Sequence, residues 1–328
     1  MRVVVTGGAG FIGSHIAEEL INLGHDVVCV DNMASGTAKN IPNGVMIKHL
    51  DIAKGHDGDM WNAFSKAKVI FHNAASKCTV CREDPKRDLL VNAWGSWRVF
   101  NIANQIGAKV IHASTGSVYG KCYTQTEEGQ YAPRSFYGVS KLAGEQYLRS
   151  FPLLRWVVLR YFHVFGERQN SSDLGGVIPI FITRLLDGKP LVVYGDGEQT
   201  RSFTYVKDVV RANMVAAEAP DMESRAYNVA SGLKVSLNTL IDALVSLLNV
   251  KKPKIEYLPP RIGDIKNFNV DNVRMTAMLD RVYGLPSWTH FGTALTQTID
   301  WYKTNMDNDK KSWGRVINNE TPDFKVAC

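Results

Sequence analysis

Long apolar runs are missing from this chain of 328 residues. Its longer ones, such as those at 156–159 and 177–182, fall far short of the ~20 residues that cross a bilayer, so we expect no membrane segment. The opening residues, MRVVVTGG, enter a strand pattern directly, and we therefore expect no secretory leader. Internal repeats are also missing.

A strong excess of one charge is missing as well. The chain has 38 lysines and arginines against 32 acidic residues, and the resulting net charge of +6 is spread along its length. Because nucleic-acid-binding domains concentrate basic residues on one face, no nucleic-acid partner is expected. An anionic small molecule is the partner that this mild excess fits best.

Cysteine is scarce, with five residues in the whole chain. An odd number without a leader predicts a reduced, cytoplasmic protein rather than a disulfide framework. Cys78 and Cys81 form a single CxxC, whereas structural zinc needs four ligands and no second pair stands at a suitable spacing. We therefore predict no metal site.

What the chain does contain is an alternation of strand-like and helix-like segments. Strands are predicted at 2–6, 26–30, 45–49, 69–72, 109–114 and 156–161, with helices at 11–23, 85–106 and 137–150. This order predicts an α/β fold with a doubly wound parallel sheet of the Rossmann type. The later segments are shorter, with helices predicted at 177–187, 207–219, 236–248 and 291–305 and strands near 191–194 and 254–258.

The same patterns predict a division of the chain into three parts. Residues 1–165 are expected to form the Rossmann domain, and 166–305 a smaller α/β substrate domain that exchanges some chain with the first. Residues 306–328 form a polar tail without clear periodicity.

A glycine-rich turn joins the first strand to the first helix in VVVTGGAGFIGSHIAEEL. The GxxGxxG spacing falls on Gly7, Gly10 and Gly13, and the buried face of the helix is expected to begin at Phe11 and Ile12. Such glycines permit a tight turn and the close approach of a pyrophosphate to the helix N-terminus. Asp31 ends the second strand, where a carboxylate accepts hydrogen bonds from the adenosine ribose and repels a 2′-phosphate. The set predicts NAD rather than NADP.

A tyrosine and a lysine stand four residues apart in FYGVSKLAGEQYL. Tyr137 and Lys141 therefore lie on one face of a helix. A lysine ammonium near a phenol favours the phenolate and lowers the tyrosine pKa from ~10 towards the working range. The strand before them ends in the hydroxyl-rich stretch HASTGSVYG. Taken by themselves, the tyrosine and lysine are either an acid–base pair or a surface pair of the kind that any helix carries, and the hydroxyls either cap a turn or face a ligand.

Over about residues 1–303 these motifs resemble the extended short-chain dehydrogenase/reductase family, particularly its nucleotide-sugar epimerases and dehydratases. The resemblance rests on GxxGxxG, Asp31, NAA at 73–75, Asn92, the hydroxyl-tipped strand and YxxxK, in one order. It implies that Tyr137 is the base and that Lys141 holds the nicotinamide ribose. Thr115 is implied to hydrogen-bond the reacting oxygen of the sugar rather than to cap a turn.

The resemblance also implies which residues line the cofactor and the substrate. The cofactor lining, beside the glycine turn, Asp31, Tyr137 and Lys141, is implied to comprise Asn32, Ser35, Gly36, Asp51, Ile52, Ala74, Ala75, Lys77, Asn92 and Tyr161. A UDP-sugar is implied to be held by Ser117, His163, Val177, Val193, Tyr194, Gln199, Arg201, Arg261 and Asp264.

The segments that carry the substrate residues are LRYFHVFGERQ, GGVIPIFI, LVVYGDGEQTRSFTYVKD and RIGD. By resemblance Val193 and Tyr194 flank the pyrimidine base, and Arg201 and Arg261 hold the diphosphate, for which guanidinium groups are well suited. His163 stands where many relatives carry asparagine, and a histidine can also donate to a phosphate.

Gly116 and Ser117 bear on the fate of the sugar after its oxidation at C4. Family dehydratases commonly carry Asp-Glu directly after the strand threonine, and decarboxylases a glutamate at the second position, whereas Gly116 and Ser117 transfer no such protons. The sequence therefore favours a UDP-sugar 4-epimerase, for a hexose or an N-acetylhexosamine. An open alternative is a 4,6- or 5,6-dehydratase that uses Cys122 with Glu127 or Glu128, and another is a catalytically idle NAD-binding sensor.

Relatives of this kind commonly form homodimers through the helices that correspond to 85–106 and 137–150. Trp94, Trp97 and Phe100 on the first of these helices fit such an interface, and they fit core packing equally well.

Overall fold

The structure is a computed structural model that describes residues 1–77, 84–122, 124–172, 175–260 and 269–313, with backbone alone for 306–313. Its central element is a seven-stranded sheet in the order β11-β6-β5-β4-β1-β2-β3, and every neighbouring pair in it is parallel. The strands are β1 Arg2–Thr6, β2 Asp26–Asp31, β3 Met46–His49, β4 Val69–His72, β5 Lys109–Thr115, β6 Trp156–Tyr161 and β11 Arg225–Val229. The predicted Rossmann fold is confirmed.

Strand β11 is the one member of this sheet that the sequence pattern missed. It pairs with β6 and contains Asn228, a polar residue that is nevertheless fully buried. Its side chain accepts from the hydroxyl of Tyr119 at 2.7 Å and donates to the carbonyl of Gln125 at 3.0 Å. These partners are distant in sequence, so a single-strand pattern does not reveal why an asparagine is tolerated there.

Helices cover this sheet and bury the apolar residues of its strands. They are α1 Phe11–Asn22, α2 Asp57–Phe64, α3 Pro85–Asp88, α4 Ser96–Ile106, α5 Phe136–Arg149, α7 Val206–Glu218 and α9 Val273–Tyr283. One core cluster joins β-strand residues such as Val4, Ile70 and Val110 to Phe64 and Phe100 on the helices. Of the aromatic residues expected either at a dimer interface or in the core, Phe100 is thus a core residue.

The helix predicted at 85–106 is interrupted by a π-helical segment, Leu89–Gly95, between α3 and α4. A π segment widens the turn and is common near functional sites. It contains Asn92, whose side chain is fully buried. The sequence periodicity indicates the helical stretch but not the change of pitch.

The remaining elements are short strands and helices. Paired strands are β7 Val164–Phe165 with β10 Thr204–Tyr205, β9 Thr200–Arg201 with β12 Val235–Ser236, and β8 Leu191–Tyr194 with β13 Ile255–Leu258. The helices are α6 Val177–Leu186, α8 Leu237–Leu248 and α10 Phe291–Trp313. Helix α10 continues past 305, where the sequence pattern predicts its end, so the first part of the polar tail, 306–313, is helical.

The chain divides into two compact units. Unit 1 comprises Met1–Phe162, Lys207–Val229 and Asp271–Ser287, and unit 2 comprises His163–Val206, Ala230–Val270 and Trp288–Cys328. The assignment of cofactor binding to 1–165 and of nucleotide-sugar binding to 166–305 remains a prediction. No helix within the described ranges is long and apolar enough to span a membrane.

Candidate active site

The glycine turn of unit 1 is packed too closely for side chains. A Cβ built at Gly13 would lie 2.1 Å from the carbonyl oxygen of Gly7. Gly7 has φ of +68°, and a Cβ there would lie 2.8 Å from the backbone nitrogen of Ala74. The turn after β1 therefore rests against the end of β4 with backbone alone. At this edge the sheet order reverses, which is where doubly wound sheets bind ligands.

Phe11 and Ile12, the first two residues of α1, are partly exposed. The buried face begins at Gly13 instead, so the expectation that Phe11 and Ile12 start it is wrong. Gly10 is the N-cap and offers no side chain to the first turn. The amide groups of this first turn therefore receive no acceptor from the N-cap side chain, which suits a turn that binds a pyrophosphate.

Asp31, at the end of β2, performs a structural task beside its predicted one. Its carboxylate accepts from the backbone nitrogens of Ala9 at 3.0 Å and Met33 at 2.8 Å. These bonds tie the end of β2 to the glycine turn, and each carboxylate oxygen retains capacity for a further donor. Gly36 closes on the same place, because a Cβ there would lie 2.8 Å from that of Ala9.

Asn32, Ser35 and Asp51 lie close to this edge. Asn32 and Ser35 are exposed, and the Asn32 amide donates to Asp51 at 2.8 Å. Burial alone raises the pKa of Asp51, but hydrogen bonds from Asn32 and from two backbone amides lower it on balance. The buried Ile52 packs against the π segment, since a Cβ at Gly95 would lie 3.0 Å from it.

The loop after β4 contains three predicted cofactor residues, and the backbone of one of them, Ala74, packs against Gly7 of the glycine turn. Ala74 donates its backbone N–H to the hydroxyl of Thr6 at 3.1 Å. Ala74 and Ala75 are partly exposed, and Lys77 is exposed. Asn73, which the sequence analysis did not single out as a site residue, has a buried side-chain nitrogen that finds no acceptor among the described residues.

These features fit NAD. The glycine turn is a cradle that a Cβ would fill, the start of α1 lacks a side-chain cap, and a buried amide donor stands at the adjoining strand end. Tyr161, at the end of β6, hydrogen-bonds Asn213 at 2.8 Å, and burial raises its pKa.

Thr115 ends β5 and is nearly buried. Its hydroxyl accepts from the backbone nitrogen of Ser117 at 3.2 Å and so caps the 3₁₀ turn Gly116–Val118. The expectation that this side chain is not a turn cap is therefore wrong. Capping uses only the oxygen, and the hydroxyl hydrogen is directed to the Ser117 hydroxyl at 3.3 Å.

Gly116 occupies a position where no side chain fits. A Cβ there would lie 2.3 Å from Cε1 of Phe162, an inflexible ring that is itself 2 % exposed. The core beside β6 therefore dictates glycine directly after the threonine. A carboxylate at this position would require the aromatic ring to move.

Helix α5 begins against the same turn. Ser135 caps it by accepting from the backbone nitrogen of Gly138 at 3.0 Å. A Cβ at Gly138 would lie 2.6 Å from the carbonyl oxygen of Ser117, so the helix start and the turn touch through backbone. This contact brings Thr115 and Tyr137 into one neighbourhood, which sequence spacing alone does not establish.

Lys141 lies one helical turn beyond the partly buried Tyr137 and is 2 % exposed. Burial lowers the pKa of Lys141 to about 8, while the carboxylates of Glu145 and Asp88 oppose that fall. His72 is fully buried, and its burial together with Lys141 lowers its pKa to about 3. Of these two groups, Lys141 is therefore the one whose charge changes within a few pH units of neutrality, whereas His72 stays neutral.

Buried polar residues behind the site are not indicated by the sequence pattern. Glu145 accepts from the hydroxyl of Ser114 and pairs with the guanidinium of Arg160 at 2.7 Å, and this ion pair is fully buried. Its spacing of four residues from Lys141 was a usable signal, because it places both residues on one helix face.

The network around Asn92 was also missed. Asn92 was predicted to line the cofactor, yet its side chain bonds Ser76, Asp88 and Ser140. It therefore connects the π segment to the loop after β4, to α3 and to α5.

The three acid–base candidates of the dehydratase alternative have partners of their own. Glu127 is nearly buried and accepts from the backbone nitrogen of Asn228 at 2.9 Å. Glu128 pairs with Arg274 at 2.7 Å in an exposed ion pair. The Cys122 thiol donates to the carbonyl of Gln130. Each contact fixes this stretch of chain to itself or to a neighbouring element.

In unit 2, two predicted base contacts lie on opposite faces of β8. Val193 is fully buried, whereas Tyr194 is partly exposed. A fully buried side chain has no surface for a base, so the expectation for Val193 is wrong. Gln199 donates to the carbonyl of Tyr194 at 2.7 Å and so braces the turn that comes after the strand.

His163, Arg201 and Val177 complete the described part of the predicted nucleotide set. His163 has φ of +38° and stacks edge-on to Phe203. Burial, with the positive charge of Arg201, lowers the pKa of His163 to about 3, so the ring is neutral. Val177 is the first residue of α6, after the N-cap Gly176. Arg261, Asp264, Cys78 and Cys81 lie outside the described residues.

Comparison with known proteins places these features in a family. Residues 3–230 match the family model described as "NAD dependent epimerase/dehydratase family". The UDP-glucose 4-epimerase of Mycolicibacterium smegmatis is 33% identical over 316 residues, covering 92% of this chain and 99% of that protein. The UDP-N-acetyl-alpha-D-glucosaminuronate decarboxylase of Bacillus cytotoxicus is 32% identical, with 94% and 99% covered.

A solved structure shares the architecture. The UDP-glucose 4-epimerase of Thermus thermophilus, in complex with NAD, matches with a TM-score of 0.80 at 33% identity, covering 92% of this chain and 99% of that one. The family model covers more than half of the sequence, and the relatives cover nearly all of it. The chain belongs to the NAD dependent epimerase/dehydratase family.

Proposed function

We propose that this protein is an NAD-dependent UDP-sugar 4-epimerase. The observation that carries the proposal is the turn after β5, where Gly116 is dictated by Phe162 and is followed by Ser117. This turn touches the start of the helix that bears Tyr137 and Lys141. The site thus has a base and a hydroxyl but no carboxylate at the two positions after Thr115.

Three residues of this turn and helix have roles in the proposed reaction. Tyr137, as phenolate, removes the proton of the C4 hydroxyl, because the nearby Lys141 charge stabilises the phenolate form. Thr115 turns its hydroxyl hydrogen from Ser117 to the same oxygen, while its own oxygen keeps the cap from the Ser117 amide. When bound, NAD would supply the hydride acceptor for oxidation at C4 and the hydride donor for the return. Return to the opposite face inverts the centre, and no further acid is needed.

The cofactor is proposed to lie along the carboxyl edge of the unit 1 sheet. The glycine turn would hold the pyrophosphate, Asp31 the adenosine ribose, and Lys141 the nicotinamide ribose. The tight packing at Gly7 and Gly13 supports this assignment, since it brings backbone amides forward without side chains.

The nucleotide of the substrate is proposed to be held by residues of unit 2. Tyr194 presents a partly exposed ring, and Arg201 supplies a cation for phosphate oxygens. The neutral ring of His163 can donate one hydrogen bond to a phosphate. The roles of Arg261 and Asp264 remain predictions.

The experiment that tests the function is a panel of UDP-hexoses and UDP-N-acetylhexosamines, with products followed by proton NMR. We expect interconversion of C4 epimers without loss of mass. Net loss of water would overturn the proposal in favour of lyase chemistry. An enzyme that binds NAD and UDP but turns over no member of the panel would support the sensor alternative.

We further propose a homodimer. Helices α3 to α5 carry an exposed apolar surface with a cavity of about 400 Å³, lined by Leu89, Leu90, Ala93, Trp94, Trp97 and Tyr147. Trp94 and Trp97 stack at 5.1 Å and remain partly exposed. Contiguous apolar surface of this kind is typical of protein interfaces. Sedimentation of wild type and of Trp94→Glu tests the proposal, which a monomeric wild type would overturn. A cytoplasmic location remains a prediction.

A further inference from the structure

Asp88 is a fully buried carboxylate, and the proposed chemistry gives it no task. It is the last residue of α3, directly before the π segment. Carboxylates are rarely buried completely unless they are paired or hydrogen-bonded. Its surroundings therefore need an explanation.

Two neutral side chains donate to the Asp88 carboxylate. Asn92 donates to Oδ1 at 2.5 Å, and the hydroxyl of Ser140 donates to Oδ2 at 2.8 Å. Ser140 lies on α5 directly before Lys141. Asn92 in turn accepts from the backbone nitrogen of Ser76 at 2.8 Å, which lies in the loop after β4. One carboxylate thus joins three segments that carry predicted site residues.

Four titratable groups interact with Lys141, two on α3 and α5 and two on the neighbouring strands. Glu145 lies on its own helix, Asp88 on α3, His72 on β4 and His112 on β5. The two histidines are buried and neutral, because burial and the lysine charge lower the pKa of both. The two carboxylates are therefore the charges that oppose the effect of burial on the pKa of Lys141.

Those two carboxylates differ in how they are compensated. Glu145 shares a fully buried pair with Arg160, in which both of its oxygens receive guanidinium nitrogens at 3.0 and 2.7 Å. Asp88 receives hydrogen bonds from the neutral Asn92 and Ser140 instead. The Asp88 carboxylate, after that of Glu145, favours the charged form of the buried lysine. A buried charge that loses its counter-charge is strongly destabilised.

We propose that Asp88 is a positioning residue for the proposed epimerase reaction: it locks the π segment and the loop after β4 to α5, and it supplies the counter-charge that keeps the buried ammonium of Lys141 charged. This inference rests on the proposed function for its kinetic consequence. Its electrostatic part does not depend on the substrate.

Asp88→Asn isolates the charge, because the hydrogen bonds can be kept. The asparagine oxygen accepts from Asn92, and its nitrogen donates to the hydroxyl of Ser140. That hydroxyl then turns its hydrogen to the carbonyl of Tyr137, which already lies 3.1 Å away. Asp88→Ala removes the charge and the hydrogen bonds together.

Asp84→Asn is the matched control. Asp84 is exposed, caps the same helix by accepting from the backbone nitrogen of Arg87, and lies one turn before Asp88. Asparagine caps as well as aspartate does. The control therefore removes the same charge from the same helix without touching the buried network.

The first readout is the pH dependence of kcat for the C4 epimer interconversion. We expect the activity of wild type to decline above about pH 8, as Lys141 loses its proton. In Asp88→Asn this alkaline limb should move down by about one pH unit, and kcat at pH 8 should fall roughly fivefold. Asp84→Asn should superimpose on wild type. A profile of Asp88→Asn that is unshifted, with loss seen only in Asp88→Ala, would reduce Asp88 to a hydrogen-bonding role and overturn the proposal.

The second readout is a double-mutant cycle on stability, with Lys141→Met as the partner change. Asp88→Asn should lower the urea midpoint markedly in wild type and by less than half as much in the Lys141→Met background. If Asp88→Asn alone does not fold, the double variant should recover folding, because both charges are gone. Equal shifts in the two backgrounds, or no recovery, would overturn the proposal.

The two readouts separate the inference from the proposed function. A coupled cycle without turnover of any UDP-sugar would leave the counter-charge standing and overturn the epimerase. Normal epimerisation without coupling between Asp88 and Lys141 would leave the epimerase function standing and overturn the counter-charge.

Discussion

Two sets of candidate residues in unit 1 differ in what their polar atoms are bonded to. The helix set, Thr115, Tyr137 and Lys141, lies where the turn after β5 touches α5, backed by the buried carboxylates Asp88 and Glu145. The loop set, Cys122, Glu127 and Glu128, is bonded to Gln130, Asn228 and Arg274.

The comparison teaches that residue type does not identify an acid or a base. Glutamates and a cysteine are chemically competent for proton transfer, yet the partners of the loop set hold the chain in place. The helix set is less acidic in composition, but its lysine is buried and its charge is set by the residues behind it. Partners, rather than side-chain class, favour the helix set as the chemical one.

The largest expected effect comes from removing the hydroxyl of Tyr137. Tyr137→Phe should lower kcat by about 10²- to 10⁴-fold, because general base catalysis is worth that much. The binding of NAD and of UDP should be unchanged by calorimetry. Tyr283→Phe, at an exposed tyrosine of α9, is the control and should retain full activity. Full activity in Tyr137→Phe would remove the helix set from the chemistry.

The buried histidines behind the helix set should make stability depend on pH. The ordinary pKa of 6.5 falls to about 3 in folded His72 and well below 6.5 in folded His112. Between these values the unfolded chain binds protons that the folded chain does not. The free energy of unfolding should therefore fall as the pH drops below about 6.5, by about 1.4 kcal/mol per pH unit for each histidine.

Urea unfolding between about pH 7 and pH 4.5 measures this slope. His112→Phe should reduce it by the share of one histidine, since the ring stacks on His72 and meets Phe100 edge-on, and phenylalanine keeps those contacts. An unchanged slope would show that His112 does not titrate on unfolding.

A smaller effect is expected at Glu127, and it should appear in stability rather than in turnover. Glu127→Gln retains an oxygen for the backbone nitrogen of Asn228, so both properties should stay near those of wild type. Glu127→Ala leaves that buried N–H without an acceptor and should cost about 1–3 kcal/mol. Denaturant unfolding measures the stability of both variants, and the epimerase assay measures their turnover. A large loss of kcat in a stable Glu127→Gln would instead place the residue in acid–base chemistry.

The smallest effects are expected at Glu128 and Cys122. Glu128 lies in an exposed ion pair with Arg274, and such pairs contribute about 0–1 kcal/mol. Glu128→Gln and Cys122→Ser should therefore leave kcat within about twofold and the melting temperature nearly unchanged. If both lower kcat together, the dehydratase alternative would regain its acid and base.

Much of unit 1 could be predicted from the sequence, because its signals are local. Alternating apolar periods indicate six strands of the main sheet, and the glycine spacing indicates the turn after β1. Strand β11 was missed because the burial of Asn228 depends on residues that are distant in sequence. The π segment was missed because a change of helical pitch has no simple period.

The site was predicted less evenly. Gly116 was singled out for chemistry, yet the physical reason for its glycine is the ring of Phe162. Val193 was assigned to a base contact, although strand alternation places it in the interior and Tyr194 on the partly exposed face. Such errors arise because a motif identifies a segment but not the direction of each side chain.

The sequence by itself determined the fold class, the edge of the sheet that carries the glycine turn, and the spacing of Tyr137 and Lys141 on one helix. These follow from periods and spacings within single elements. Only the tertiary structure decided that Thr115 also caps its turn, that Phe162 excludes a side chain at Gly116, and that Asp88 is buried near Lys141. Each of these depends on distances between segments far apart in the chain, and the charge of a buried lysine is set by whichever groups those distances bring near.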